Sequence, residues 1–225
     1  MRSKRYKAAA TGLDLKKLYT PAEAIELVKK TSNVKFDASV EVHVRLGIDP
    51  GKSDQSIRGT MNLPHGTGKT KRVAAFVEPD KESVAKDAGA DVIGGEELIA
   101  IIAQKGTFDF DVAVATPSMM PKIAKIAKIL GQRGVMPNPK TDTVGADVKK
   151  MVSEQKAGKV TFRNDATANV HQIIGKVSFD ATKLLENFHA LIEQLRKVKP
   201  ASAKGIYFRS VTLTSSMGPG IKVSV

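Results

Sequence analysis

Residues 206–225 read I-Y-F-R-S-V-T-L-T-S-S-M-G-P-G-I-K-V-S-V, two alternating segments on either side of a loop of small residues, without an acidic side chain. A period of two specifies strands with one wet face. Such a strand pair needs a partner sheet. The best matching pattern lies some 160 residues upstream, where Val40, Val42, Val44 and Leu46 alternate with Glu41, His43 and Arg45. The two ends of the chain are therefore expected to meet, displaying the loop Ser215-Ser216-Met217-Gly218-Pro219-Gly220 on a surface that both ends build.

Between these ends the pattern changes and then returns. Thr20-Pro21-Ala22-Glu23 has the capping-box arrangement, so a helix should begin there and bury Ala24, Ile25, Leu27 and Val28. Ile57, Gly59, Met61 and Leu63 alternate up to the breaker-rich Pro64–Gly68. Val73–Val77 is then continuously apolar, as in a strand covered on both faces. Helical 83–88, strand 91–93, helical 96–104 and strand 112–115 follow. A helix over 121–130 closed by Gly131 and another over 146–157 closed by Gly158 complete this part. Alternating strands and helices imply a parallel sheet wrapped by helices. From Val160 two-faced strands come back, and Ser178 is expected to cap a long helix with an apolar stripe from Ala181 to Val198, stopped by Pro200. His189 beside that stripe is expected at the core or its boundary.

The pattern predicts an α/β domain, residues 68–159, inserted into a two-layer α+β domain made of residues 1–67 and 160–225. Charge divides the same way: the chain carries +13, of which +10 falls in the outer residues and +3 in the insert. A pI near 9.8 points to a polyanion, most simply nucleic acid, met mainly by the outer domain. Gly66, Gly68 and Gly158 mark the two crossings and are candidate hinge residues, with a rigid pair of domains as the alternative.

Several function classes find no support. With no cysteine there is no disulfide framework, thiolate nucleophile or cysteine-ligated metal, and a reducing, cytoplasmic setting fits. The opening M-R-S-K-R-Y-K-A-A-A reads as a basic arm, with too little apolar sequence for a signal-peptide core or a membrane span; an organellar transit peptide is the alternative, against the helix expected soon after it. Gly66-Thr67-Gly68-Lys69-Thr70 resembles a phosphate loop, but Leu63 stands where its first glycine belongs and a strand follows instead of a helix. Asp109 and Asp111 read as solvated strand-end carboxylates. His43, His65, His171 and His189 lack metal-ligand spacing, so neither a metal nor a cofactor is expected. Aromatics are 5% of residues, so base stacking cannot be the main RNA device, leaving recognition of backbone and shape. Thr212, Thr214, Ser215, Ser216 and Gly218 could supply small donors to an RNA backbone, although the loop taken alone reads first as an ordinary solvated hairpin.

The run Ile126-Ala127-Lys128-Ile129-Leu130-Gly131-Gln132-Arg133-Gly134-Val135-Met136-Pro137-Asn138-Pro139-Lys140 closely resembles the bacterial L1 family of large-subunit ribosomal proteins, which form the mobile stalk near the tRNA exit site. Tyr19–Ala24, Lys35-Phe36-Asp37, Gly68-Lys69-Thr70, Phe162-Arg163-Asn164-Asp165 and Ser215–Pro219 extend the resemblance along the whole chain. It implies a discontinuous RNA-binding domain with an inserted Rossmann-like, three-layer domain. It further implies binding to large-subunit ribosomal RNA, repression through a similar site in the messenger RNA of its own operon, help in releasing deacylated tRNA from the exit site, and a monomer when free. By motif position the RNA-contact residues would be Glu26, Lys35, Phe36, Ser39, His171, Ser210, Ser216, Met217 and Gly218. Family members often carry threonine at the position of Ser216, so the hydroxyl is kept here and a methyl contact is given up. The reading from another class is a nucleotide-using α/β enzyme with its site at the carboxyl ends of the insert's strands.

Overall fold

The computed structural model describes residues 3–225, so Met1 and Arg2 of the expected basic arm lie outside the described residues. The chain forms two compact units, one of Met1–Gly68 with Thr161–Val225 and one of Lys69–Val160.

The first unit is a four-stranded antiparallel sheet backed by helices. Strands β1 (Ser39–Leu46), β7 (Asn169–Lys176), β8 (Phe208–Ser215) and β9 (Ile221–Val223) run in the order β7-β1-β8-β9. β1 is paired on both edges, with His43 opposite His171 on one side and Thr212 on the other. Its alternate residues Val40, Val42, Val44 and Leu46 are fully buried. They face the helix layer of α2 (Pro21–Thr31) and α8 (Ala181–Lys197). α2 starts where its capping box requires: Thr20 Oγ1 accepts from the Glu23 N–H at 3.4 Å, and Glu23 Oε2 accepts from the Thr20 N–H at 3.1 Å. Tyr19 pairs in parallel with Val223, locking the entry to α2 onto the last strand. The remaining strands, β2 (Arg58–Asn62) and β6 (Lys159–Arg163), form a separate two-stranded ribbon.

Lys4–Ala10 of the basic arm forms helix α1, capped by the Ser3 hydroxyl. Two expectations need correction in this unit. Ser178 does not cap α8. Its N–H and hydroxyl both go to the Asp37 carboxylate, at 3.2 and 2.9 Å, and the cap position falls to Asp180. His189 is exposed rather than at the core; the polar residue that does enter the helix stripe is Asn187, which is fully buried. Its amide accepts from the His65 N–H at 3.1 Å and donates to the carbonyls of Gly66 and Ile174 at 3.0 and 2.7 Å. A buried amide is tolerable only when its donors and acceptor are met in this way.

The second unit is three-layered. β3 (Val73–Phe76) lies between β4 (Val92–Gly94) and β5 (Val112–Ala115), all parallel. Every residue of β3 is buried, because helices cover both faces. Ala74 and Phe76 pack with Ile99 and Ile102 of α4 (Glu96–Lys105) and with Ile123 and Leu130. Val73 and Ala75 point the other way, toward Ala85 of α3 (Pro79–Asp87) and Val148 and Val152 of α7 (Val148–Lys156).

The single helix expected over 121–130 is in fact α5 (Met120–Ile123) and α6 (Ala127–Gln132), joined by a 3₁₀ turn at Ala124–Ile126. Side chains three apart eclipse in a 3₁₀ turn, and Ile123 and Ile126 both reach full burial through it. Nor does Gly131 end the helix. The stop is a Schellman motif around Gly134, with φ +70°, in which the Val135 N–H bonds to the Leu130 carbonyl and the Gly134 N–H to that of Gly131. The strand after Gly66–Thr70 leaves that loop without a helix N-terminus; Lys69 pairs instead with Asp111 at 2.8 Å, and Arg72 with Asp109.

Two substitutions separate these roles. Asn187→Leu should lower the stability of the first unit by about 3 kcal/mol, because a part-buried N–H, a part-buried carbonyl and a fully buried carbonyl lose their partner. Gly134→Ala, with open space around its Cβ but a left-handed backbone, should cost only about 1–2 kcal/mol. Urea titrations of the full chain measure both, and an unchanged midpoint for Asn187→Leu would rule out this account of the amide.

Candidate nucleic-acid interface

The period-two pattern that buries one face of the four-stranded sheet leaves the other uncovered by α2 and α8. Ser39, Glu41, His43 and Arg45 of β1, His171 and Ile173 of β7, Ser210, Thr212 and Thr214 of β8 and Lys222 of β9 project there by alternation. Hydroxyls, imidazoles and cations dominate, with Glu41 as the acid among these strand residues. Register arranges them in rows: Lys222–Thr212–His43–His171 crosses all four strands, and Ser210–Arg45–Asn169 runs beside it.

At one end of this face the loop after β8 is tied to the start of β1. The Ser216 N–H donates to the Ser39 carbonyl at 2.9 Å, and Ser216 Oγ accepts from the Ser39 N–H at 3.3 Å. These bonds carry the pairing beyond the last residue of β8 and set the loop beside the segment that leads into β1. Met217 then takes a left-handed φ of +65°, leaving its side chain 68% exposed. Gly218 closes the turn through its N–H to the Ser215 carbonyl at 2.8 Å. A Cβ at Gly218 would collide with Ser215 Oγ, which is buried and without a hydrogen-bond partner, so a larger residue there would force that hydroxyl to turn and press on the Ser215 carbonyl. Lys35 and Phe36 occupy the connection into β1, and Phe36 is 57% exposed.

Of the nine residues expected to contact RNA, Ser39, His171, Ser210 and Ser216 belong to the open face, and Lys35, Phe36, Met217 and Gly218 to the loops at one end of it. With Ser210 and Ser216 six residues apart, the face is about 20 Å long. Glu26 is not among them. It lies on the helix layer behind the sheet, in a groove with Lys17, Glu23 and Lys30.

Two cations were invisible as site residues in the sequence. Arg5 of α1 donates to the Met217 carbonyl at 2.9 Å and to Asn33 Oδ1 at 3.0 Å, holding the loop tip. Lys176 Nζ donates to Ser39 Oγ at 2.9 Å. Both occur in basic or alternating stretches, but only long-range pairing identifies their targets. The structure also joins two histidines 128 residues apart: the Nδ1 atoms of His43 and His171 are 2.8 Å from each other. Burial first, and His171 second, hold His43 below the ordinary imidazole range, against the opposing pull of Glu41. Asp165, at the turn before β7, is held well below the usual carboxylate range by the Asn169 N–H and by Thr167, so it is a fixed negative charge.

The chemistry on offer is recognition. Small hydroxyls and cations on an open sheet face suit phosphates and 2′-hydroxyls, and among the described residues Phe36 is the one exposed phenylalanine at its edge. In the second unit, a cavity of about 350 Å³ lined by Arg72, Val92, Ile101, Phe108 and Phe110 opens at the amino ends of the strands. Nucleotide-binding α/β sheets place their ligands at the carboxyl ends, so this cavity is in the wrong place for such an enzyme.

Comparison with known proteins gives the family. Residues 28–219 match the profile of the ribosomal protein L1p/L10e family. The chain is 56% identical over 222 residues to a protein of Corynebacterium aurimucosum named large ribosomal subunit protein uL1, covering 99% of this chain and 94% of that one. A Thermobifida fusca protein of the same name is likewise 56% identical over 222 residues, with the same coverage. A third, from Mycobacteroides abscessus, is 55% identical over 221 residues, covering 98% and 94% of the two chains. These relatives are named as ribosomal proteins and not as enzymes. The chain belongs to the ribosomal protein L1p/L10e family.

Proposed function

We propose that the first unit binds large-subunit ribosomal RNA through the open sheet face and the two loops at its edge, and that the protein works in the cytoplasm as part of the ribosome. The observation that carries this reading is the pair of hydrogen bonds between Ser216 and Ser39, which ties the Ser216-Met217-Gly218 loop to a residue three positions after Phe36, from opposite ends of the chain. Lys35 neutralises phosphate, Phe36 packs on a sugar or base, and Met217 fills a shallow groove. Ser216 both pins the loop and presents its hydroxyl to a 2′-hydroxyl. Glu26, on the helix layer, would contact a different part of the same RNA.

The same surface would bind a similar structure in the messenger RNA of the protein's own operon and repress its translation. The second unit, residues 69–160, would assist release of deacylated tRNA from the exit site. Gly66, Gly68 and Gly158, all with positive φ, would serve as the hinge for that movement, and the free protein would be a monomer.

Filter binding to deproteinised large-subunit RNA from Thermobifida fusca tests the reading. Tight, salt-sensitive binding is expected, and failure to bind this RNA in preference to an unrelated one would defeat it. Ser216→Val should weaken binding by about 1–3 kcal/mol, since a desolvated polar group loses its partner. Lys35→Ala should flatten the plot of log affinity against log salt by about 1, the loss of one phosphate contact. An unchanged slope would remove Lys35 from the interface. Gly218→Ala should loosen the loop and weaken binding by a similar amount to Ser216→Val, with a minor change in the urea midpoint.

A further inference from the structure

We propose that His43 and His171 form one proton-gated RNA contact, in which the pair takes up a single proton as the RNA backbone docks. The proposal rests on the ribosomal-RNA reading and adds His43 to its contact residues, together with the chemistry of the contact.

Counting donors shows why the pair has room for one further proton. One hydrogen-bond contact and two carboxylates at ion-pair distance favour an N–H at three ring positions. One is the contact between the two Nδ1 atoms, 2.8 Å apart. The second is His43 Nε2, 3.8 Å from Glu41 Oε2, and the third is His171 Nε2, 3.5 Å from Asp165 Oδ2. Two neutral imidazoles carry two N–H groups between them, so one position is always unmet, with a nitrogen lone pair facing either the other ring or a carboxylate. One added proton meets all three. A second is excluded, because both Nδ1 atoms would then carry hydrogens into a 2.8 Å contact.

The surroundings set when that proton arrives. Facing the pair are Glu41 and Arg45 on β1, Asp165 before β7 and, across Thr212, Lys222 on β9, while Lys176 of β7 lies farther along the face, opposite Ser39. β8 contributes only the neutral Ser210, Thr212 and Thr214 to this face, and α2 and α8 lie behind the sheet. In the free protein, partial burial works against charging His43. An RNA phosphate over the Lys222–Thr212–His43–His171 row reverses the balance, since it neutralises the lysine and arginine charges and attracts the imidazolium directly.

The sign follows from linkage. A group that binds its proton more tightly in the complex than in the free protein strengthens binding as pH falls through the neutral range, and the gain is lost as pH rises above it. The stability of the free protein should run the other way: because His43 is held low on folding, its contribution is present above the ordinary histidine range and fades as pH drops through the folded value.

The test is filter binding of the full chain to large-subunit RNA of Thermobifida fusca at constant ionic strength, between about pH 8 and about pH 6, the interval in which histidine titrates. The wild type should bind about tenfold tighter at the lower pH, the effect of up to one proton taken up. His43→Gln and His171→Gln should each lose this gain, while His189→Gln, on the exposed side of α8, should keep it. Calorimetry in two buffers of different ionisation enthalpy should show proton uptake by the wild type and none by His43→Gln. Salt-sensitive binding with a flat pH profile, or a full pH response surviving in His43→Gln, would overturn the proton gate and leave the RNA-binding reading standing. Absence of binding at every pH would overturn both.

Discussion

Strand β1 is hydrogen-bonded along both edges, to β7 on one side and to β8 on the other, and both partners come from the far end of the sequence. Much of the first unit depends on that double pairing. It closes a chain separation of some 170 residues, fixes which side chains share a face, and brings the loop after β8 to the segment before β1. A one-residue slip in either ladder would send Val42 and Val44 into solvent and His43 and Arg45 into the helix layer. The four aliphatic residues of β1, all fully buried, make that slip costly.

The open face follows from the same constraint. Once one side of the sheet is committed to α2 and α8, alternation leaves the other to the polar half of each strand, and antiparallel register places those halves in rows. Hydroxyls, imidazoles and a lysine then form a surface suited to backbone recognition without any residue having been placed by a local motif. The second unit obeys a different rule. Its parallel strands are buried on both faces, and its polar groups are driven to strand ends and helix ends, as at Asp109 and Asp111.

Much of the fold was legible. The capping box at Thr20, the alternation in β1 and β8, the continuous apolar run of β3 and the change of pattern between them identify both units and most elements. Errors arose where one local signal lost to a distant partner or to a stronger signal beside it. Ser178 has the residue type of a cap, but Asp37 takes both its N–H and its hydroxyl. Gly131 looks like a helix stop, but the Schellman bonds close around Gly134. In the candidate site, the loop residues 215–220 and the cations near it were visible as composition. The roles of Arg5 and Lys176 were not, because each acts on an atom far away along the chain.

By itself the sequence determined the elements, the burial side of each strand, the excess of positive charge in the outer residues and the membership of a family. These depend on periodicity, composition and neighbours a few residues apart, all of which are local. Only the tertiary structure decided which polar residues meet. The Ser216–Ser39 lock, the Asn187 amide shared by three backbone groups and the His43–His171 contact each join residues more than 100 positions apart, apart from the Asn187 bond to Ile174. A hydrogen bond depends on distances of tenths of an ångström, and those distances exist only after sheet register and helix packing have been set.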